Sequence, residues 1–257
     1  MTNHIHLLNG DALLMQFPEE ISGKKLVCRE CLVEGPVEKN ELAVFFNQRA
    51  KYLNKLYQES SVEVYTNKVA SQFYQLLESA KGKADLYLWF EDDLFCQVNL
   101  WFSLSLLNSI EQTGVIYLIR PPKHTPYGFG ELGQEELVDC FKKASPITTI
   151  TPWVALWEAY QTNDLHRLHQ IAESLTEDYP FVLAAVEAHV ERFPTQTHDG
   201  RPKERLKQII KAQNTTAFAP VFREFCRTEA IYGFGDVTVK RLFDEVVESI
   251  ENNDAKK

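Results

Sequence analysis

Carboxylate and amide side chains recur in this chain directly after short apolar runs. Asn9, Gly10 and Asp11 follow Ile5–Leu8; Arg29, Glu30 and Glu34 follow Lys25–Cys28; and Glu91, Asp92, Asp93 and Gln97 follow Asp85–Phe90. If the runs are parallel strands, these residues stand beyond the carboxyl ends, where open α/β sheets bind ligands. Asp11, Glu30 and Asp93 are then candidate catalytic acids or bases, and Asn9, Gly10, Arg29, Glu34, Glu91, Asp92 and Gln97 candidate ligand contacts. Oxygen donors of this kind suit a divalent cation such as Mg²⁺, or the hydroxyls and ring edge of a small molecule, with Arg29 as partner for an anionic group. Some of these positions also have a structural reading. Asp11 and Asp93 each precede an apolar helix, where a carboxylate accepts free N–H groups as a cap, and Asp93 with Gln97 at i, i+4 can bond locally. Capping accounts for two positions and leaves Glu30, Glu34 and Gln97 unexplained.

The elements that must position these side chains are read from periodicity. Strand, polar turn and helix alternate: strand Ile5–Leu8 with a helix from Ala12, strand Lys25–Cys28 with a helix over Leu42–Leu56, and a third strand expected at Val62–Tyr65 before a helix through Val69, Phe73, Leu76 and Leu77. Asp85–Phe90, apolar on both faces, reads as a buried parallel strand. A long helix over Leu94–Ile110, a strand over Val115–Ile119 and a helix opening at Gly133–Glu136 continue the alternation. This spacing predicts an α/β, Rossmann-like doubly wound parallel sheet over residues 1–145. From Pro146 the apolar residues keep helical spacing, apart from an edge strand allowed at Ile147–Ile150, so residues 146–257 are expected to form an all-helical domain, frayed over Asn252–Lys257.

Composition limits the function classes. With 257 residues, 44% hydrophobic and 25% charged, the chain has the balance of a globular protein. Its net charge of −9 divides after Ser145 into −5 (14 basic, 19 acidic) and −4 (13 basic, 17 acidic), which disfavours nucleic acid and anionic membrane as partners. The basic stretch Arg201, Lys203, Arg205, Lys207 and Lys211 reads as a solvated helix face. No apolar run approaches a membrane span and the first residues lack signal-peptide character, so a cytoplasmic location and reduced cysteines are expected. Cys28 and Cys31 have thioredoxin-like spacing but no helix follows them, so they read as structural thiols. Cys96, Cys140 and Cys226 stand apart, which argues against zinc. Gly-x-x-x-x-Gly-Lys-Ser/Thr and Gly-x-Ser-x-Gly are both absent, excluding a P-loop and a serine-hydrolase elbow. Pro122–Gly130 leaves a strand end as a polar, aromatic loop, either a lid or a packed surface loop.

Three motifs, Leu8-Asn9-Gly10-Asp11, Arg29-Glu30-Cys31-Leu32-Val33-Glu34-Gly35-Pro36 and Leu88-Trp89-Phe90-Glu91-Asp92-Asp93-Leu94-Phe95-Cys96-Gln97, resemble those of the bacterial domain-of-unknown-function family 1835 over about residues 4 to 145. The helical remainder, with Phe181, Arg192-Phe193-Pro194 and Gly235-Asp236, is similar to a helical domain, family 3658, that often follows. The resemblance implies the domain layout and brings no activity with it. The residues themselves suggest a small-molecule site, for a nucleotide or other phosphorylated ligand, or a metal-assisted enzyme. The alternative is a non-catalytic regulator whose helical part contacts protein or nucleic acid.

Overall fold

The computed structural model describes residues 4–57, 61–111 and 113–254. In chain order these form β1 (His4–Asn9), α1 (Asp11–Gln16), β2 (Lys24–Cys28), α2 (Leu42–Tyr57), α3 (Val62–Tyr65), a π-helical turn (Thr66–Ala70), α4 (Ser71–Ala80), β3 (Asp85–Trp89), α5 (Leu94–Leu107) and β4 (Ile116–Ile119). A 3₁₀ turn (Gly128–Glu131), α6 (Gln134–Lys142) and β5 (Ser145–Pro146) complete the sheet region. Then come α7 (Thr151–Gln161), α8 (Leu165–Ser174), α9 (Pro180–Glu191), α10 (Arg201–Gln213), α11 (Phe218–Thr228), a 3₁₀ turn (Ala230–Tyr232) and α12 (Asp236–Asp254). No strand occurs after Pro146 among the described residues.

The five strands lie in the order β2-β1-β3-β4-β5, parallel except for the antiparallel edge β5. Alternation along each strand sends side chains to two cores. Leu7, Leu86, Leu88 and Leu118 join the larger one, while Leu8, Tyr87, Trp89 and Ile119 join Leu13, Phe17 and Leu137 on the opposite face. The sheet is therefore covered on both faces, as its apolar strands require. His6 sits fully buried in the smaller core. Its Nδ1 accepts from Trp89 Nε1 (3.2 Å), so its Nε2 donates to the Ser22 carbonyl (3.1 Å), and burial lowers its pKa to about 4.

α5 runs through the larger core. Its burial includes the polar Gln97, Asn99 and Ser103, because α4, α7 and α9 pack against it and it shares the larger core with the sheet. Phe102 stacks on Phe45 of α2 (5.2 Å) and meets Trp157 of α7 (5.1 Å), so one core runs from the sheet into the C-terminal helices.

Two expected elements differ. Val62–Tyr65 is helical: Val-Glu-Val-Tyr alternates like a strand, but the Ser61 hydroxyl accepts from Val64 N (3.2 Å) as a helix cap and the turn runs on into α4. The edge strand pairs through Ser145–Pro146, immediately before Ile147, whose N–H still bonds Ile116 O (2.8 Å). α12 continues through Asn252 to Asp254, where fraying was expected; residues 1–3 and 255–257 lie outside the described set.

Candidate functional site

The chain passes from β1 to β2 on one side and returns to β3 on the other, so the strand order reverses between β1 and β3. A crevice opens at such a point because the following connections leave in opposite directions. Here it is a cleft of about 260 Å³ lined by Asn9 at the end of β1, by Glu91, Asp93, Phe95 and Cys96 after β3, by the loop Thr125–Gly128, and by Phe225–Phe234 of the C-terminal helices.

At its floor, one ligand atom each of Glu91, Asp93 and Cys96 lie within 4.8 Å of one another. Asp93 is the N-cap of α5, Oδ1 accepting from Cys96 N (2.9 Å), which fixes Asp93 and Cys96 on the same turn. Glu91 is held from both ends. Its Oε1 accepts Phe129 N (2.6 Å), its Oε2 accepts the Cys96 thiol (3.2 Å), and Gln97 Nε2 bonds its carbonyl (2.7 Å). Asn9 Nδ2 donates to Cys96 Sγ (2.8 Å), and Asn99 Nδ2 donates to Asn9 Oδ1 (3.1 Å) and to Glu30 O (2.9 Å). A continuous polar chain thus runs from the loop after β2 through Asn99, Asn9 and Cys96 to Glu91 and the loop at Phe129.

Three groups able to carry negative charge are forced together out of water, and their proton affinities rise accordingly. Burial, and then the Glu91 charge, push Asp93 up to about 7. Burial raises Glu91, partly offset by the Phe129 amide. Cys96 is raised well above the usual thiol range by burial and then by Asp93 and Glu91. As a free thiol Cys96 is therefore a poor nucleophile.

Glycine permits the close walls. Gly128 (φ +50°) lies against the Glu91 carboxylate and Gly233 (φ +62°) against that of Asp93, and a Cβ at either would overlap it. Gly233→Ala should lose at least about 1–3 kcal/mol of stability, from the left-handed backbone and the collision. Gly130→Ala, with nothing within 4 Å of its Cβ, should stay within about 0.5 kcal/mol in the same urea titration.

The other expected site residues go elsewhere, so Asp11, Glu30, Asp93 and Gln97 do not share one pocket. Gly10, not Asp11, holds the N-cap position of α1, and Asp11 pairs at the surface with Arg29 (2.7 Å), which lowers its pKa. Glu30 is buried against Arg49 (2.8 Å) and accepts the Tyr65 hydroxyl. Glu34 pairs with Arg241 of α12, and Asp92 with Arg120 (2.5 Å), whose guanidinium stacks on Phe181 of α9 (3.8 Å). Gln97 is fully buried behind the Glu91 turn and does not line the cleft.

The loop after β2 is instead an anchor. Arg49 donates to the carbonyls of Cys31 (2.8 Å) and Glu34, Tyr160 Oη to Leu32 O (3.0 Å), Arg192 to Val33 O (2.7 Å), and Gln161 to Val37 O (2.7 Å). A loop with so many carbonyls to satisfy needs donors from every side, and three of these come from the C-terminal helices. Cys28 and Cys31 remain free, their thiols pushed up to about 12 by burial. Four cations of the basic stretch engage carboxylates: Arg201 meets Glu191 and Glu229, Lys203 meets Glu245, Arg205 meets Glu229, and Lys207 meets Asp199 and Glu204.

Sequence reading missed Cys96 and Asn99 as members of the site. The available signal was Asp93-x-x-Cys96-x-x-Asn99 with Glu91 two residues before, a spacing that places all of them near the first turns of one helix. The fold and cleft define an α/β protein with an acid-and-thiol site where its strand order reverses. No protein-family model matches the chain, and no curated protein or solved structure does either. No helix among the described residues is long and apolar enough to cross a membrane.

Proposed function

We infer that this chain binds a small molecule in the β1/β3 crevice with the help of a divalent cation held by Glu91, Asp93 and Cys96. The observation that carries the reading is the convergence of those three side chains in an accessible cleft at the sheet's reversal point. Without a cation, burial favours the protonated forms of the cluster; a cation offers a better neutraliser, and ligation releases the protons still held. The donor set, one thiolate with two carboxylates, suits Zn²⁺ better than the Mg²⁺ that the carboxylates alone suggested, since Mg²⁺ demands oxygen ligands. Such an ion polarises a phosphoryl, carbonyl or hydroxyl oxygen, which makes metal-assisted catalysis the reaction class. Asn9 and Asn99 act as positioning residues for Cys96.

The wider reading is a Rossmann-like sheet domain of the family 1835 kind followed by a helical domain resembling family 3658, working in the cytoplasm. A regulator that contacts nucleic acid through the helices is less well supported, because four cations of the basic stretch already face carboxylates.

Calorimetric titration of Zn²⁺ into the full chain at pH 6 and pH 8 tests the reading. Two of the ligands must lose protons near or above neutrality. Affinity should therefore rise by about tenfold per pH unit for each proton released, with the release visible as buffer-dependent heat. Cys96→Ser should weaken Zn²⁺ by at least about tenfold and Mg²⁺ little. Zn²⁺ binding that is absent, or unchanged by Cys96→Ser, would remove the metal from the reading.

A further inference from the structure

The crevice over Glu91, Asp93 and Cys96 has aromatic walls. Phe95 comes from the first turn of α5, Tyr127 from the loop after β4, Phe225 from α11, and Phe234 from the turn before α12. Phe225 is buried in the larger core, and Phe234 packs on Tyr232 (5.0 Å). The other two rings are free. Phe95 is only partly buried, Tyr127 is 73% exposed, and neither ring meets another ring or a cation among the described residues.

Tyr127 is nevertheless held in place through its backbone. Its N–H bonds the Thr125 hydroxyl (3.3 Å), Gly128 beside it lies against the Glu91 carboxylate, and that carboxylate accepts the N–H of Phe129 (2.6 Å). The loop is thus fastened to the crevice floor within two residues of an exposed ring. Such a ring adds little to stability, and it offers a large contact face to a ligand at a small cost in side-chain entropy.

No cation lines the crevice. Of its carboxylates, Glu229 is taken up by Arg201 (2.8 Å) and Arg205 (3.7 Å), neither of which belongs to the lining. His124 acts on Glu91 from the loop, but it is exposed and lies outside the lining. What remains is the charge of the floor. With Cys96 as a thiol, ionised Glu91 and Asp93 bring it to −2; with a divalent ion and a thiolate it is −1, two positive charges against three negative. The sign is the same with and without the ion, so in both states the floor attracts a cation and opposes a phosphate or carboxylate. The rings add to the same preference, because the face of an aromatic ring is its negative part and takes an ammonium group.

We propose that the organic ligand of this crevice is an amine carried on a flat ring, with the ring against Phe95 and Tyr127 and the ammonium group toward the carboxylate floor. The inference rests on the reading of the crevice as a ligand site and not on which ion it holds. Where an ion is bound, it acts on a carbonyl or hydroxyl oxygen of the same molecule, since a phosphoryl group would bring further negative charge to an anionic floor.

Benzylamine, benzyl alcohol and benzyl phosphate share one ring and methylene and differ in charge, which makes them the probes. Each is titrated by calorimetry into the full chain at pH 8, with and without Zn²⁺. Benzylamine should bind at least about tenfold more tightly than either of the others in both states. Tyr127→Ala should weaken benzylamine by about fivefold or more, and Tyr127→Phe, which keeps the ring face, should bind it like the parent. Neither substitution should move the urea midpoint, because the side chain is exposed and makes no hydrogen bond among the described residues. The proposal is overturned if benzylamine does not bind, binds no better than benzyl alcohol or benzyl phosphate, or is indifferent to Tyr127→Ala. Zn²⁺ binding that persists in that event leaves the metal reading standing. Benzylamine binding of the expected pattern without any Zn²⁺ binding removes the metal reading and keeps this one.

Discussion

Asp93→Asn is expected to make the metal-free protein more stable at pH 8 and to abolish its Zn²⁺ site. The sign follows from linkage. In the folded chain Asp93 titrates at about 7, against an ordinary 3.8, because burial and Glu91 disfavour its charge. Between these values the folded state holds a proton that the unfolded state has lost, so stability falls as pH rises from about 4 to about 7 and stays low above that. Three pH units correspond to on the order of 4 kcal/mol, an upper figure since Glu91 and Cys96 share the same protons. The amide cannot ionise and therefore escapes this cost, and it keeps the cap, because Asn serves an N-cap as well as Asp. Urea unfolding should place the two proteins within about 1 kcal/mol of each other at pH 4 and give the variant a lead of about 2–4 kcal/mol at pH 8. Adding Zn²⁺ at pH 8 should reverse the order, since only the parent gains binding energy. A variant that is less stable at pH 8 would mean that the ionised carboxylate serves chiefly as a cap, and the strained-cluster account would fall.

The sheet was legible in the sequence because its strands are buried on both faces and sit between turn signals: Asp85–Trp89 lies within the run picked out by its apolar character alone. Val62–Tyr65 was not, since four residues cannot separate alternation from helical spacing; Tyr65 is drawn inward by its bond to Glu30, which lies 35 positions earlier in the chain. The same limit governs the site. That carboxylates collect at strand ends could be read locally, and Glu91 and Asp93 do meet in the reversal crevice. Which carboxylates are already neutralised could not, because their partners come from remote parts of the chain, Arg49 from α2, Arg120 from the end of β4 and Arg241 from α12. Cys96 escaped notice for a related reason: a search for paired cysteines and histidines passes over a thiol whose companions are carboxylates three and five residues before it.

That distinction gives the Arg29–Pro36 motif its meaning. Most of its polar groups hold the sheet to the helices, and only its continuation through Asn99 and Asn9 reaches the cleft. Substitutions there should act on stability first and on ligand binding second, whereas those at Asp93 and Cys96 should do the reverse.

The test of this division is Arg49→Met, which should cost about 3–5 kcal/mol or prevent folding. Both Arg49 and Glu30 are without solvent exposure. Removing the guanidinium strands the Glu30 charge in the core and leaves the carbonyls of Cys31, Glu34 and Pro36 without the donors that Arg49 now supplies. Tyr65 is no substitute for the cation; burial and Glu30 raise its pKa, so it stays a neutral donor. Adding Glu30→Gln to Arg49→Met removes the stranded charge but not the orphaned carbonyls, so the double variant should regain only part of the loss, about 1–3 kcal/mol. Urea titration of the two single variants and the double one yields the coupling, and Zn²⁺ titration of whichever fold reads out the cleft. The expected pattern is large coupling in stability with unchanged Zn²⁺ affinity in folded Glu30→Gln. If Glu30→Gln instead unfolds like the parent and loses Zn²⁺, Glu30 serves the cleft directly, and the loop after β2 is part of the site and not its anchor.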